Sequence, residues 1–263
     1  MEKLRKYGDA PFCVAILHGG PGIPGEVAPV AKELSKTQGI LEPIQTKFTI
    51  EDQVLEVKEV LEKNSTPPII LIGYSWGAWL AFIFTAKHPA LIKKLILLNS
   101  GPFEASYAEN ILNTRLSRLN TKDRLDIENL FKILADPQAK DKNTVWAKIG
   151  AYLPKTDSYD PTNNHEENLL EFQYDIYESI WPEALKLRKS GKLLEMAKDI
   201  KCPVVSIHGD YDPHPASGVE MPLSRIIKNF RFILIENCGH KPWIERKAKE
   251  NFYKILKDEI KIE

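Results

Sequence analysis

Short apolar runs alternate with amphipathic stretches along this chain, the pattern of strands buried on both faces and joined by helices long enough to cross over a parallel sheet. The runs predict strands at Phe12 to Leu17, Ile40 to Ile44, Ile69 to Ile72, Lys94 to Leu98, Val204 to His208 and Phe230 to Ile235. Helices are expected at Glu26 to Ser35, Ile50 to Lys63, Ala78 to Lys87 and Ile244 to about Lys257, the second opened by Thr49 as N-cap with Glu51 and Asp52 in its first turn. No charge falls between Lys63 and Lys87. Pro67-Pro68 and the bend Gly73-Tyr74-Ser75-Trp76-Gly77 nevertheless cut that stretch into a buried strand and a buried helix, too short for a membrane span.

Residues 103–198 read differently: strand-like runs are missing and long polar side chains dominate, which predicts a helical cap inserted into the α/β core. The expected organisation is 1–102 for the first part of the core, 103–198 for the cap and 199–263 for the second part. Within the cap, Glu166 to Trp181 puts Leu169, Phe172, Ile176 and Ile180 on one helical face and Glu167, Glu171, Asp175 and Glu178 around the other, with Trp181-Pro182 as its end. Pro154 and Asp157 to Asn164 read as a loop.

The 263 residues suffice for a sizeable core, and 36 basic residues cancel 36 acidic ones. Without a basic footprint, nucleic acid and anionic membrane surfaces are excluded as partners, leaving a small molecule or short peptide; the oligomeric state is not fixed. The N-terminus lacks the apolar core of a secretory signal. Cys13, Cys202 and Cys238 are far apart and form no C-x-x-C pair, which suits reduced thiols in a cytoplasmic protein.

Candidate chemistry begins at Gly73-Tyr74-Ser75-Trp76-Gly77. A G-x-S-x-G turn between a strand and a helix lifts the serine hydroxyl above the sheet, and Ser75 is therefore the candidate nucleophile. A serine needs a base, and the base needs an orienting group. Asp210 and Asp212 follow the fifth predicted strand and His240 follows the sixth, at the sheet edge where open α/β folds bind ligands. An alternative is a metal site, since His208, Asp210, Asp212 and His214 alternate along the chain; Gly209 and Pro213 argue for a turn there instead.

The order Ser75, acid, His240, together with His18-Gly19-Gly20-Pro21-Gly22, resembles the α/β-hydrolase superfamily and its proline iminopeptidase-like branch. The resemblance covers the core and leaves the cap unmatched. It implies a doubly wound, six-stranded sheet in the order 2-1-3-4-5-6, with the family's first two antiparallel strands missing because so few residues precede Phe12. It also implies that Asp212, three residues after Gly209, is the acid while Asp210 braces the loop. The oxyanion donors carried over are the N–H groups of Gly20 and Trp76, and His18 organises their loop.

The function so implied is a cofactor-free serine hydrolase acting on a small ester or similar acyl substrate through an acyl-enzyme. A proline iminopeptidase-like activity is the alternative within the family, its ammonium subsite to be sought among the cap acids. A non-catalytic receptor on the same fold is the alternative outside it.

Overall fold

The computed structural model describes residues 3–162 and 170–261. A seven-stranded sheet is formed by β1 (Leu4–Tyr7), β2 (Phe12–Leu17), β3 (Gly39–Pro43), β4 (Ile69–Tyr74), β5 (Ile92–Leu98), β6 (Val204–Gly209) and β7 (Phe230–Ile235). The spatial order is β1-β3-β2-β4-β5-β6-β7, and every pairing is parallel except β1 with β3. The six predicted strands take the expected order.

The expectation that both antiparallel strands are missing is corrected by β1. Leu4 to Tyr7 pair with Pro43 to Ile40, and the Tyr7 hydroxyl donates to Glu42 Oε2 at 2.6 Å. Arg5 and Lys6 hid this strand, because charged residues are tolerated on a sheet edge that they also protect from pairing with other chains.

Both sheet faces are covered by helices. On one face, α1 (Ala28–Leu34) and α11 (Lys249–Glu259) bury Val30, Leu34, Phe252 and Leu256 against Val14, Ile16, Ile70 and Ile72. On the other, α2 (Ile50–Asn64) and α3 (Trp76–Lys87) cover Ala15, Leu17, Leu71 and Leu95. Thr49 Oγ1 accepts from the Asp52 N–H at 3.1 Å, so α2 begins at the expected cap. Helix α3 is buried along nearly its whole length, which explains its uniformly apolar sequence.

Between β5 and β6 lie α4 (Ile111–Ser117), α5 (Thr121–Ala135), α6 (Lys142–Gly150), α7 (Leu153–Asp157), α8 (Tyr174–Lys189) and α9 (Lys192–Glu195). Pro154 starts a helical turn rather than a loop, at a position where its missing N–H costs nothing. Leu169, Glu167 and His165 lie outside the described residues. Helix α8 starts eight residues later than expected from Glu166 and runs through Pro182. Tertiary contacts outweigh the proline: Ile176, Ile180 and Ala184 are buried, Ser179 Oγ donates to Phe48 O at 2.6 Å, and Glu183 Oε2 accepts the Ile50 N–H at 3.0 Å.

Two further differences lie near the C-terminus. A helix not predicted, α10 (Ser217–Ser224), connects β6 to β7, its pattern masked by Gly218 and Pro222. The last helix begins at Lys249, and Pro242–Ile244 form a separate 3₁₀ turn.

Candidate active site

Ser75 follows β4 and opens α3 with φ 53° and ψ −116°, a left-handed conformation that a side chain adopts only under constraint. Close packing supplies the constraint. A Cβ at Gly73 would collide with the Gly77 carbonyl, and one at Gly77 with the carbonyl oxygens of Leu17 and His18, so Gly73 is required by contact within the bend and Gly77 by contact with the end of β2. The Ser75 N–H donates to Leu98 O on β5 at 3.0 Å.

His240 and Asp212 are brought to this bend by the ends of β7 and β6. His240 Nε2 lies 3.0 Å from Ser75 Oγ, and its Nδ1 lies 2.7 Å from Asp212 Oδ2. A carboxylate only accepts, so Nδ1 carries the proton and Nε2 presents its lone pair to the serine hydroxyl. Asp212 Oδ2 also accepts from Asn99 Nδ2 at 2.9 Å, while Oδ1 accepts from the His214 N–H at 2.9 Å and from His214 Nδ1 at 2.8 Å. Burial alone would raise the Asp212 carboxyl. The facing imidazoles of His240 and His214 and their hydrogen bonds outweigh it and hold the group well below the usual carboxylate range.

The histidine loop is fixed from three sides. Asp210 Oδ1 accepts the Cys238 N–H at 3.1 Å, Glu245 Oε1 accepts the Gly239 N–H at 2.8 Å, and Asp157 O accepts the His240 N–H at 2.7 Å. Asp210 thus braces the loop and Asp212 meets His240. The four-residue metal set does not assemble, because Asp210 is turned to Cys238. Ligand atoms of Asp212, His214 and His240 do lie within 4.8 Å of one another. Their hydrogen bonds to each other and to Ser75 already use those atoms, which makes the group a poor cation cage.

On the far side, Gly20 and Gly22 hold positive φ values of 105° and 81°, curling the loop after β2 toward Ser75. The Trp76 N–H, first in α3, has no intrahelical carbonyl to meet. His18 is fully buried, takes the Gln45 N–H on Nε2 at 3.3 Å and gives Nδ1–H to Gly19 O at 3.0 Å. Burial pushes its pKa down to about 4, so it is a neutral bracket for the loop.

A cavity of about 150 Å³ opens beside Ser75, Gly20 and His240. Its wall includes Trp146, Leu153, Tyr177, Trp181 and Ile244. Trp146 and Trp181 face this space, whereas Trp76, Trp79 and Trp243 are core residues. Phe172 packs on Gly150 instead. The acids Glu171, Asp175 and Glu178 are exposed and do not line the cavity.

Sequence reasoning missed the two ion pairs in the cavity wall. Arg115 of α4 makes a two-pronged contact to Asp157, with Nε–Oδ1 at 2.9 Å and Nη2–Oδ2 at 2.6 Å, and Lys241 Nζ lies 3.2 Å from Glu26 Oε1. Burial opposes the Asp157 charge, and Arg115 overcomes it, leaving the carboxyl below its usual range. No motif marks these residues. Asn99 did carry a signal, a polar residue immediately after a predicted strand on the ligand-binding edge.

The sheet order, with Ser75, Asp212 and His240 gathered at the strand ends, is that of the α/β-hydrolase fold. A family model described as alpha/beta hydrolase fold matches residues 14–247, and the chain belongs to that family. It is 24% identical over 208 residues to human monoacylglycerol lipase ABHD6, covering 77% of this chain and 58% of that protein. It is also 24% identical over 283 aligned positions to the proline iminopeptidase of Lactobacillus delbrueckii subsp. bulgaricus, covering 92% and 88%. The chain thus spans little more than half of the first relative and most of the second. Among solved structures, VinJ superposes with a TM-score of 0.68 at 18% identity, covering 98% of this chain and 93% of that one, a likeness of fold.

Proposed function

We propose that this chain is a metal-independent serine hydrolase that cleaves a small ester or similar acyl substrate through an acyl-enzyme. In this reading Ser75 attacks the acyl carbon while His240 Nε2 takes its proton, and Asp212 orients His240 and stabilises the imidazolium. The N–H groups of Gly20 and Trp76 hold the oxyanion, each such donor contributing ~10²–10³ in rate. His240 then gives the proton to the leaving group, and water deacylates Ser75 by the same relay. Residues 103–198 act as the cap that closes the cavity.

The observation that carries the reading is the continuous hydrogen-bond line from Ser75 Oγ through His240 to Asp212, 3.0 and 2.7 Å long. A fluorophosphonate probe is expected to label the wild type and not Ser75→Ala; equal labelling of both overturns it. Three free cysteines support a reducing, cytoplasmic setting.

The proline iminopeptidase-like reading is favoured by the match along most of that relative's length. Against it, both cavity acids already have cationic partners: Glu26 has Lys241 and Asp157 has Arg115. Relative turnover of a short p-nitrophenyl ester and a prolyl arylamide separates the two, and the ester is expected to be the faster.

A further inference from the structure

Two polar atoms in the cavity wall are buried and have no hydrogen-bond partner among the described residues: Glu26 Oε2 and Trp146 Nε1. The Glu26 side chain is only 5% exposed. Its other oxygen faces Lys241, so one carboxylate oxygen is balanced and the second is buried without a partner among the described residues. That open oxygen lies over Gly19, where an added Cβ would stand 2.5 Å from it, next to the residue proposed to hold the oxyanion.

A buried carboxylate oxygen without a donor is costly and rare, and at a substrate cavity the missing donor belongs to water or to the substrate. Lys241 already supplies the countercharge. An ammonium group would bring a second cation to the same carboxylate, with Arg115 also in the wall, whereas a neutral O–H or N–H meets the open lone pair without adding charge. Trp146 offers the complementary donor to a substrate acceptor.

We propose that Glu26 determines specificity here, selecting acyl substrates that carry a neutral hydrogen-bond donor, a hydroxyl or an amide N–H, close to the reacting carbonyl. The inference rests on the hydrolase reading above. It makes Glu26 a binding residue whose contribution disappears for substrates lacking the donor.

The test compares kcat/KM for the p-nitrophenyl esters of butyric, 3-hydroxybutyric, N-acetyl-2-aminobutyric and 3-aminobutyric acids. The hydroxy or N-acetylamino ester is expected to exceed the plain ester by ~10-fold or more in the wild type, since a site built for a donor rejects its isostere. Glu26→Leu should bring that ratio close to one, and Glu26→Gln, which keeps an acceptor oxygen, should retain most of it. Because the readout is a ratio, a general loss of activity cancels. A wild-type ratio near one, an unchanged ratio in Glu26→Leu, or a preference for the amino ester overturns the proposal. The wild-type ratio alone decides it if Glu26→Leu does not fold. Failure of the hydrolase reading looks different: none of the esters is turned over and the fluorophosphonate does not depend on Ser75, and the proposal then falls with it.

Discussion

His214 Nδ1 stands 2.8 Å from Asp212 Oδ1, so the carboxylate that faces His240 is held from its other oxygen by a second imidazole. His214 is itself held by its carbonyl, which accepts from His208 Nε2 at 2.8 Å. Its ring centroid lies 4.6 Å from that of His240. In the proposed mechanism His214 is a positioning residue acting through Asp212. His214→Ala should lower kcat on a simple ester ~10-fold, the worth of one hydrogen bond to a charged group, with little change in KM. His214→Asn, whose amide can donate to the same oxygen, should recover most of the loss; equal defects in both variants would show that packing alone is at work.

Gly77 touches the backbone of Leu17 and His18, which makes the serine bend and the loop after β2, the proposed oxyanion loop, one packed unit. Gly77→Ala must push them apart. A displacement of the order of 1 Å costs ~10²-fold in rate, so kcat should fall by about that factor, measured against Gly191→Ala as a control. Gly191 has no neighbour within 4 Å of an added Cβ, although its φ of 78° makes that change slightly destabilising.

Removing one member of the Arg115–Asp157 pair leaves the other charge buried. Arg115→Met should cost about 3 kcal/mol in urea unfolding, the usual penalty for an orphaned buried partner, while Arg115→Met with Asp157→Asn should recover a large part. The Asp157 carbonyl also anchors the His240 N–H. The single variant should therefore lose activity as well as stability.

Stability should fall with acid because two buried histidines stay neutral in the native chain. Burial holds both His18 and His214 down to about 4, from an ordinary value of 6.5. Between those pH values the unfolded chain binds protons that the native chain refuses, so the stabilisation is full above about pH 6.5 and is lost as pH falls toward 4. Each group contributes a slope of about 1.4 kcal/mol per pH unit. Urea melts at pH 7, 5.5 and 4.5 should show it, and His18→Gln should reduce the slope by about one proton whatever it does to absolute stability.

The chain itself dictated its sheet and the location of its candidate site. Strands such as Ile69 to Ile72 are apolar on both faces, and the spacing of Gly73, Ser75 and Gly77 is that of a tight strand-to-helix bend, so both are written in local pattern. Ser75, Asp212 and His240 were legible for the same reason: each follows a strand end, and strand ends are readable from periodicity.

What the pattern could not supply was decided by packing between distant segments. Edge strand β1 exists because Leu4 to Tyr7 find β3, not because their own sequence favours a strand. Helix α8 passes through Pro182 because Phe48 and Ile50 hold it from outside. The pairs Arg115–Asp157 and Glu26–Lys241, and the second imidazole on Asp212, join residues through a shared cavity and the fold's loops. Charge pairing and burial are properties of three-dimensional neighbourhoods, and a one-dimensional pattern records only the spacing within each segment.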